Sequence, residues 1–317
     1  MTPHLPARTG QQFTVVHGDY LATVTELGAT LRVLRHQGRD LIVSLEPDQV
    51  VNCCQGQLLV PFPNRIEAGR YTFEGIDYQL PVNEPDRGNA IHGLGRDQYW
   101  HLDMLGEDTV TLSWRVPPFE GYPFDLTVTA TYLLDDDGLH MTVTAHNNGT
   151  AAAPWALAIH PWLANGMDGY GDEIDAMNAQ CSLQLPARTH VQVNDNLIPV
   201  GTEPVDGTKY DFRTLRTLDE QPYDDAFTDL EHESDGTVSA LFVRPDGLRV
   251  RVGGDATVTS FQVCTGTGFP APKHPSGVAV EPQTAYANAF RSGDDLIVIA
   301  PGTESVTQLF LSVDQED

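Results

Sequence analysis

A strict period of two across residues 139–145 constrains this chain more than any other feature: Leu139, Met141, Val143 and Ala145 alternate with His140, Thr142 and Thr144. Alternation of this kind gives a strand one apolar and one wetter face, whereas a helix would scatter the same residues around its axis. Asp137-Gly138, just before it, suits a two-residue hairpin turn and joins the run to a strand ending at Leu134. The pattern recurs across residues 243–252, where Asp246-Gly247 separates two short strands and Leu248, Val250 and Val252 alternate with Arg249 and Arg251. Further strands are expected at residues 13–16, 21–26, 31–36, 41–44, 110–116, 126–134, 258–263, 296–299 and 306–313. Many short strands punctuated by Gly, Asp and Pro, with helical spacing hard to find, point to an all-β sandwich and against a parallel α/β sheet. Pro117-Pro118 and residues 270–275 read as loops over the sheet rims. No fixed-period repeat or low-complexity linker divides the chain, so residues 1–317 are expected to form one domain.

Charge and composition narrow the function. Forty-four acids face 18 bases, a net charge of −26, and Lys209 and Lys273 are the only lysines. A partner nucleic acid requires a basic face to neutralise phosphates, so none is expected. No apolar run approaches the roughly 18 residues of a membrane span, and the opening residues lack the basic and apolar regions of a secretory signal. A cytoplasmic location without membrane attachment is the expectation. Cys53 and Cys54 are adjacent while Cys181 and Cys264 are remote, a pattern suited to reduced packing residues. Phosphate-binding glycine loops, H-E-x-x-H, G-x-S-x-G and close histidine pairs are absent, so neither a metal nor a cofactor is expected.

Four segments combine polar groups with apolar or stiff surroundings. In residues 58–66, LLVPFPNRI, two prolines fix the approach to Asn64 and Arg65; Arg65 is then either a fork of donors for sugar oxygens or half of an ordinary salt bridge. In residues 89–95, NAIHGLG, His92 precedes a glycine that permits close approach of a ligand, though a satisfied loop histidine has the same look. Residues 155–166, WALAIHPWLANG, place His160 in the most apolar stretch, where burial tunes an imidazole for proton donation or simply packs it in a core. In residues 278–290, VAVEPQTAYANAF, Glu281 follows three strand residues and precedes Pro282, so its carboxylate is expected at a strand end. An unpartnered buried carboxylate costs several kcal/mol, which calls for either a structural salt bridge or a chemical task. Arg249 and Arg251 share one strand face, suited to a phosphate or to a solvated sheet edge.

In this order, the four segments together resemble the aldose 1-epimerase family, the galactose mutarotases, over nearly the whole chain. PFPNRI resembles the family's Asn-Arg element, which implies that Asn64 and Arg65 contact sugar hydroxyls. His92 in IHG resembles the first family histidine, near the sugar ring oxygen. His160 resembles the second, the general acid, with Pro161 marking a subgroup that reads H-P. Asp224 in YDDAF falls on a hydroxyl-binding aspartate, with Asp225 where the motif often carries histidine; Gln262 in FQVCTG resembles a family glutamine; Glu281 in VEPQT matches the catalytic base. The resemblance implies a large antiparallel β-super-sandwich with an open sugar cleft and a monosaccharide as partner. One departure concerns substrate choice, because EPQTAYANAF replaces the proline-rich continuation common after the glutamate.

The expected reaction interconverts α and β anomers of a free aldohexose, with Glu281 as base and His160 as acid. Three alternatives stand beside it: a glycoside hydrolase using Asp224 and Glu281, a non-catalytic sugar-binding module, and a sugar-phosphate epimerase.

Overall fold

The computed structural model of the chain describes residues 6–167, 172–270 and 274–314. It is mostly β, with two large antiparallel sheets and a smaller four-stranded one near the N-terminus. The nine-stranded sheet runs in the spatial order His101–Leu105, Thr109–Arg115, Leu126–Leu134, Leu139–Asn147, Glu304–Val313, Arg249–Gly254, Val238–Val243, Ser182–Gln184, Arg216–Thr217. Its centre is the expected hairpin: Leu126–Leu134 and Leu139–Asn147 pair over their whole length, from Leu134 opposite Leu139 to Leu126 opposite Asn147. On the inner face Leu126, Val128, Ala130, Tyr132 and Leu134 meet Leu139, Met141, Val143 and Ala145, all buried. Each buried Val or Leu contributes about 1.5–3 kcal/mol relative to exposure, so this face anchors the fold. Threonines line the wetter face, where Thr111 and Thr131 hydrogen-bond across strands at 3.0 Å.

The N-terminal sheet, Gln12–His17, Tyr20–Thr25, Leu31–His36 and Arg39–Asp40, shares the apolar core with this large sheet, and the Tyr132 hydroxyl donates to Ala29 O between them. The eight-stranded sheet takes the order Pro199–Pro204, Ala187–Val193, Asp224–Leu230, Ser260–Cys264, Gly277–Gln283, Ala158–Ile159, Leu58–Leu59, with Trp162–Ala164 also pairing Gly277–Gln283. Phe227, Phe261, Val263, Val278 and Val280 turn one face of it into the common core. The opposite face carries the candidate site.

Several expectations change. Residues 41–44 form no strand: Leu41 N donates to Leu34 O and Val43 N to Trp162 O, so the segment splits its hydrogen bonds between two sheets and keeps one bridge, Ile42 to Leu163. The Asp246-Gly247 turn is in place, but its first strand lies upstream at Val238–Val243. Two short helices, Asp172–Asn178 and Ala289–Ser292, punctuate the strands. Arg249 and Arg251 lie on an interior strand, not an edge, and both grip Asp314, with Arg249 Nε 2.8 Å from Oδ2. Residues 271–273 of the proline-rich connection lie outside the described residues. Among the described residues no helix is long and apolar enough to cross a membrane.

Glu281 does not end its strand. Gly277–Gln283 continues through Pro282, because the missing amide hydrogen falls where the ladder is already open. Ala158 pairs with Gln283 and Trp162 with Ala279, so residue 160 stands directly opposite residue 281. Thr284 N donates to Leu157 O at 2.9 Å and Val280 N to Pro161 O at 3.3 Å, and between these two bonds the nitrogens of Pro161 and Pro282 face the gap with nothing to donate.

Candidate active site

Period-two geometry builds the floor of the site. Glu281 stands opposite His160 on one side and is paired with Gln262 on the other, while Gln262 is paired with Ala226 on the next strand. Side chains opposite one another share a face, which sets His160, Glu281 and Gln262 in a row with Asp224 two residues from Ala226 on the same face. His160 Nε2 lies 3.3 Å from Glu281 Oε1, and both side chains are buried, 7% and 2% exposed. The His160 backbone is held from its other side: its N–H donates to Gln57 O at 3.1 Å and its carbonyl accepts from Gly56 N at 2.8 Å. Trp162 stacks on the His160 ring at 6.0 Å, and His92 meets it edge-on at 5.4 Å.

A polar chain continues the row. Asn64 Nδ2 donates to Gln262 Oε1 at 3.1 Å, and Gln262 Nε2 donates to Asp224 Oδ1 at 2.8 Å. Asp225, one residue on, points to the opposite face and accepts from His190 Nε2 at 2.8 Å. The two neighbouring aspartates are thereby separated: Asp224 joins the row and Asp225 does not.

Asn64 and His92 arrive by a strained route. Both adopt left-handed backbone, with φ of 50° and 62°. Asn and His tolerate this region better than most residues, at a cost of order 1–3 kcal/mol where the surroundings enforce it. The enforcement is visible: Leu94 N and Gly95 N both donate to Val60 O, and His92 N donates to Asn64 O at 2.9 Å. Gly93 must stay bare, since a Cβ there would sit 2.2 Å from Val60 O.

Arg65 extends from a two-residue strand, Arg65–Ile66, paired with Ala90–Ile91. Its guanidinium grips Glu84 through Nε and Nη2 at 3.0 Å. Glu84 also accepts from Asn89 Nδ2 at 3.1 Å and Arg87 Nη1 at 3.2 Å. Hydrogen bonds and charge from Arg65 outweigh burial and hold the Glu84 carboxyl below its ordinary range. The salt bridge foreseen as one option for Arg65 therefore exists, and it orients the arginine. Glu84 escaped the sequence reading, although Pro85-Asp86-Arg87-Gly88 is a turn pattern that sets Glu84 opposite Asn89. Trp162, Arg96 and Gln283 also lie about the His160–Glu281 pair and were not singled out.

Burial dominates the electrostatics. It pushes the Glu281 carboxyl well above the carboxylate range, with repulsion from Asp224 adding to this and Arg65 and the nearby Gln283 amide opposing it. His160 is pushed down to about 3, again chiefly by burial, with Arg96 contributing. Desolvation likewise lowers His92, helped by His160, Arg96 and Arg65, and raises Asp224 against the pull of Arg65 and Gln262. For His160 and Glu281 both directions favour the uncharged form, in which the carboxyl carries a proton and the imidazole does not. Among the described residues, no three His, Cys, Asp or Glu side chains gather as metal ligands.

Comparison with known proteins gives this geometry a context. Residues 11–309 match the sequence profile of the family described as Aldose 1-epimerase. YihR of Escherichia coli K12, whose function is uncharacterised, is 32% identical over 295 residues, covering 93% of this chain and 90% of its own length. Rat galactose mutarotase is 34% identical over 156 residues, 47% of this chain and 42% of its own. The crystal structure of the GalM/aldose epimerase homologue from C. elegans superposes with a TM-score of 0.82 at 18% identity, over 97% of this chain and 99% of that one, and thus shares the fold. With a profile match across nearly its whole length, the chain belongs to the aldose 1-epimerase family.

Proposed function

We propose that the chain is a mutarotase that interconverts the α and β anomers of a free aldohexose, as a single cytoplasmic domain needing no cofactor. The observation that carries this reading is the His160–Glu281 pair, 3.3 Å apart with both side chains buried. Ring opening removes a proton from the anomeric hydroxyl and delivers one to the ring oxygen while the C1–O5 bond breaks. Glu281 as carboxylate takes the first, and His160 as imidazolium supplies the second. The products are an open-chain aldehyde, a protonated Glu281 and a neutral His160.

That neutral pair is the state burial favours. The charged pair from which the step starts is disfavoured by the same burial, so both proton transfers run toward the form that the surroundings prefer. Rotation about the C1–C2 bond presents the other carbonyl face. Closure then returns each proton: His160 accepts the O5 proton as O5 attacks C1, and Glu281 protonates the new anomeric oxygen. Each positioned acid or base accounts for about 10² to 10⁴ in rate.

The remaining site residues take binding roles in this reading. Asn64, Gln262 and Asp224 offer a chain of donors and acceptors to hydroxyls, Arg65 adds a fixed cationic fork, and His92, neutral by burial, donates near the ring oxygen. Polarimetry on freshly dissolved α-glucose, α-galactose and other aldoses tests the proposal. Acceleration toward the equilibrium rotation is expected. Saturable sugar binding with no acceleration would leave a binding module, and release of reducing sugar from aryl glycosides would replace the proposal with hydrolysis.

A further inference from the structure

Two residues beyond Glu281, on the same face of the same strand, Gln283 is fully buried, and both ends of its side-chain amide lack a hydrogen-bond partner. Its partner across the ladder is Ser260, also fully buried, whose hydroxyl is equally unpartnered. Glu281 Oε2, on the same face, is unpartnered as well. Interiors rarely leave polar atoms unpaired, because each costs the desolvation of its group. Here three such groups stand in sequence, a carboxyl, an amide and a hydroxyl, with the amide in the middle.

An amide has a feature that suits a carboxyl that changes protonation. Its NH₂ donates to a carboxylate, whereas its carbonyl accepts from a carboxylic acid O–H. A hydroxyl both donates and accepts, so Ser260 can serve whichever end of the amide is turned away from Glu281. We infer that Gln283 is a positioning residue whose amide follows the proton on Glu281, presenting NH₂ to the carboxylate and C=O to the acid, while Ser260 satisfies its other end. The inference rests on the proposed role of Glu281 as base. It assigns to Gln283 no contact with the sugar. Its effect is to keep the carboxylate accessible at a position where burial strongly favours the acid.

The test compares the wild-type protein with Gln283→Met, which fills similar volume without a donor or acceptor, and with Ser260→Ala. Infrared difference spectra follow the protonated carboxyl stretch of Glu281, assigned by its loss in Glu281→Gln, as pH is varied. In Gln283→Met the carboxyl is expected to titrate about one unit higher than in wild type, because the carboxylate has lost its donor. The acid limb of the kcat profile is expected to move with it, with kcat down roughly tenfold or more and KM within about twofold. Ser260→Ala shows the same pattern more weakly, about threefold in kcat. A Glu281 titration unmoved in a folded Gln283→Met protein would overturn the inference, as would a fall in kcat with an unchanged pH profile, the mark of a packing defect. Should wild type fail to accelerate mutarotation, the proposed function falls, and the infrared titration still decides the role of Gln283.

Discussion

The nine-stranded and eight-stranded sheets use the same antiparallel ladder for opposite purposes. In the first, strands such as Leu126–Leu134 and Leu139–Asn147 bury alternate residues and leave threonines on the wetter face. In the second, Ser260–Cys264 and Gly277–Gln283 are buried at every position, so Gln262, Glu281 and Gln283 lie where water is excluded. The first sheet gains stability from almost every inward side chain. The second keeps unpartnered polar atoms of Ser260, Glu281 and Gln283 in its interior. The proposed site thus lies where buried polar groups give up local stability.

Substitutions can break that contrast. The largest expected effect is Glu281→Gln or His160→Gln: a fall of about 10² to 10⁴ in the polarimetric rate, with a denaturation midpoint equal to or above wild type. Wild-type rates in either folded protein would refute the assignment. In the opposite sheet, Leu112→Ala removes a fully buried side chain and should cost about 2–5 kcal/mol by urea denaturation. The kcat of its folded fraction should stay at the wild-type value; a matching loss of activity would mean that the two sheets do not divide the labour.

Smaller effects sharpen the picture. Glu84→Gln frees the Arg65 fork and is expected to raise KM about tenfold with little change in kcat, read from initial rates at several sugar concentrations. An unchanged KM would remove Arg65 from sugar binding. The smallest expected effect is on acid stability. The folded pKa of His160, about 3, lies below the ordinary histidine value near 6.5, so between these limits the unfolded chain binds more protons and stability falls as pH falls. Urea midpoints measured at pH 7 and pH 4 should therefore drop further in wild type than in His160→Gln. Equal drops would show that His160 is not held neutral.

How much of this was legible in the sequence followed from the same division. Residues 139–145 announced their strand because water on one side imposes alternation. Residues 278–283 carried no such signal, since a strand buried on both faces has no period, and Pro282 suggested an end where the strand continues. Residues 41–44 looked like a strand because apolar residues serve equally well in a crossing between sheets. His160, Glu281, Asn64, Arg65, His92, Gln262 and Asp224 could be named from their motifs. The roles of acid and base implied that His160 and Glu281 face each other, but the register that brings them together, of a two-residue strand against a seven-residue one, left no mark in the sequence. Glu84 was hidden for a different reason: a surface-type turn sequence carries it into a pocket beside Arg65.

The paired prolines 161 and 282 have one more consequence. Neither ring carries an amide hydrogen, and both nitrogens look into the gap between the two segments that carry His160 and Glu281. No backbone hydrogen bond can close that gap, so the two strands stay unlatched at this level whatever the side chains do. The seam is kept unsewn by covalent structure, and it is as permanent as the chain itself.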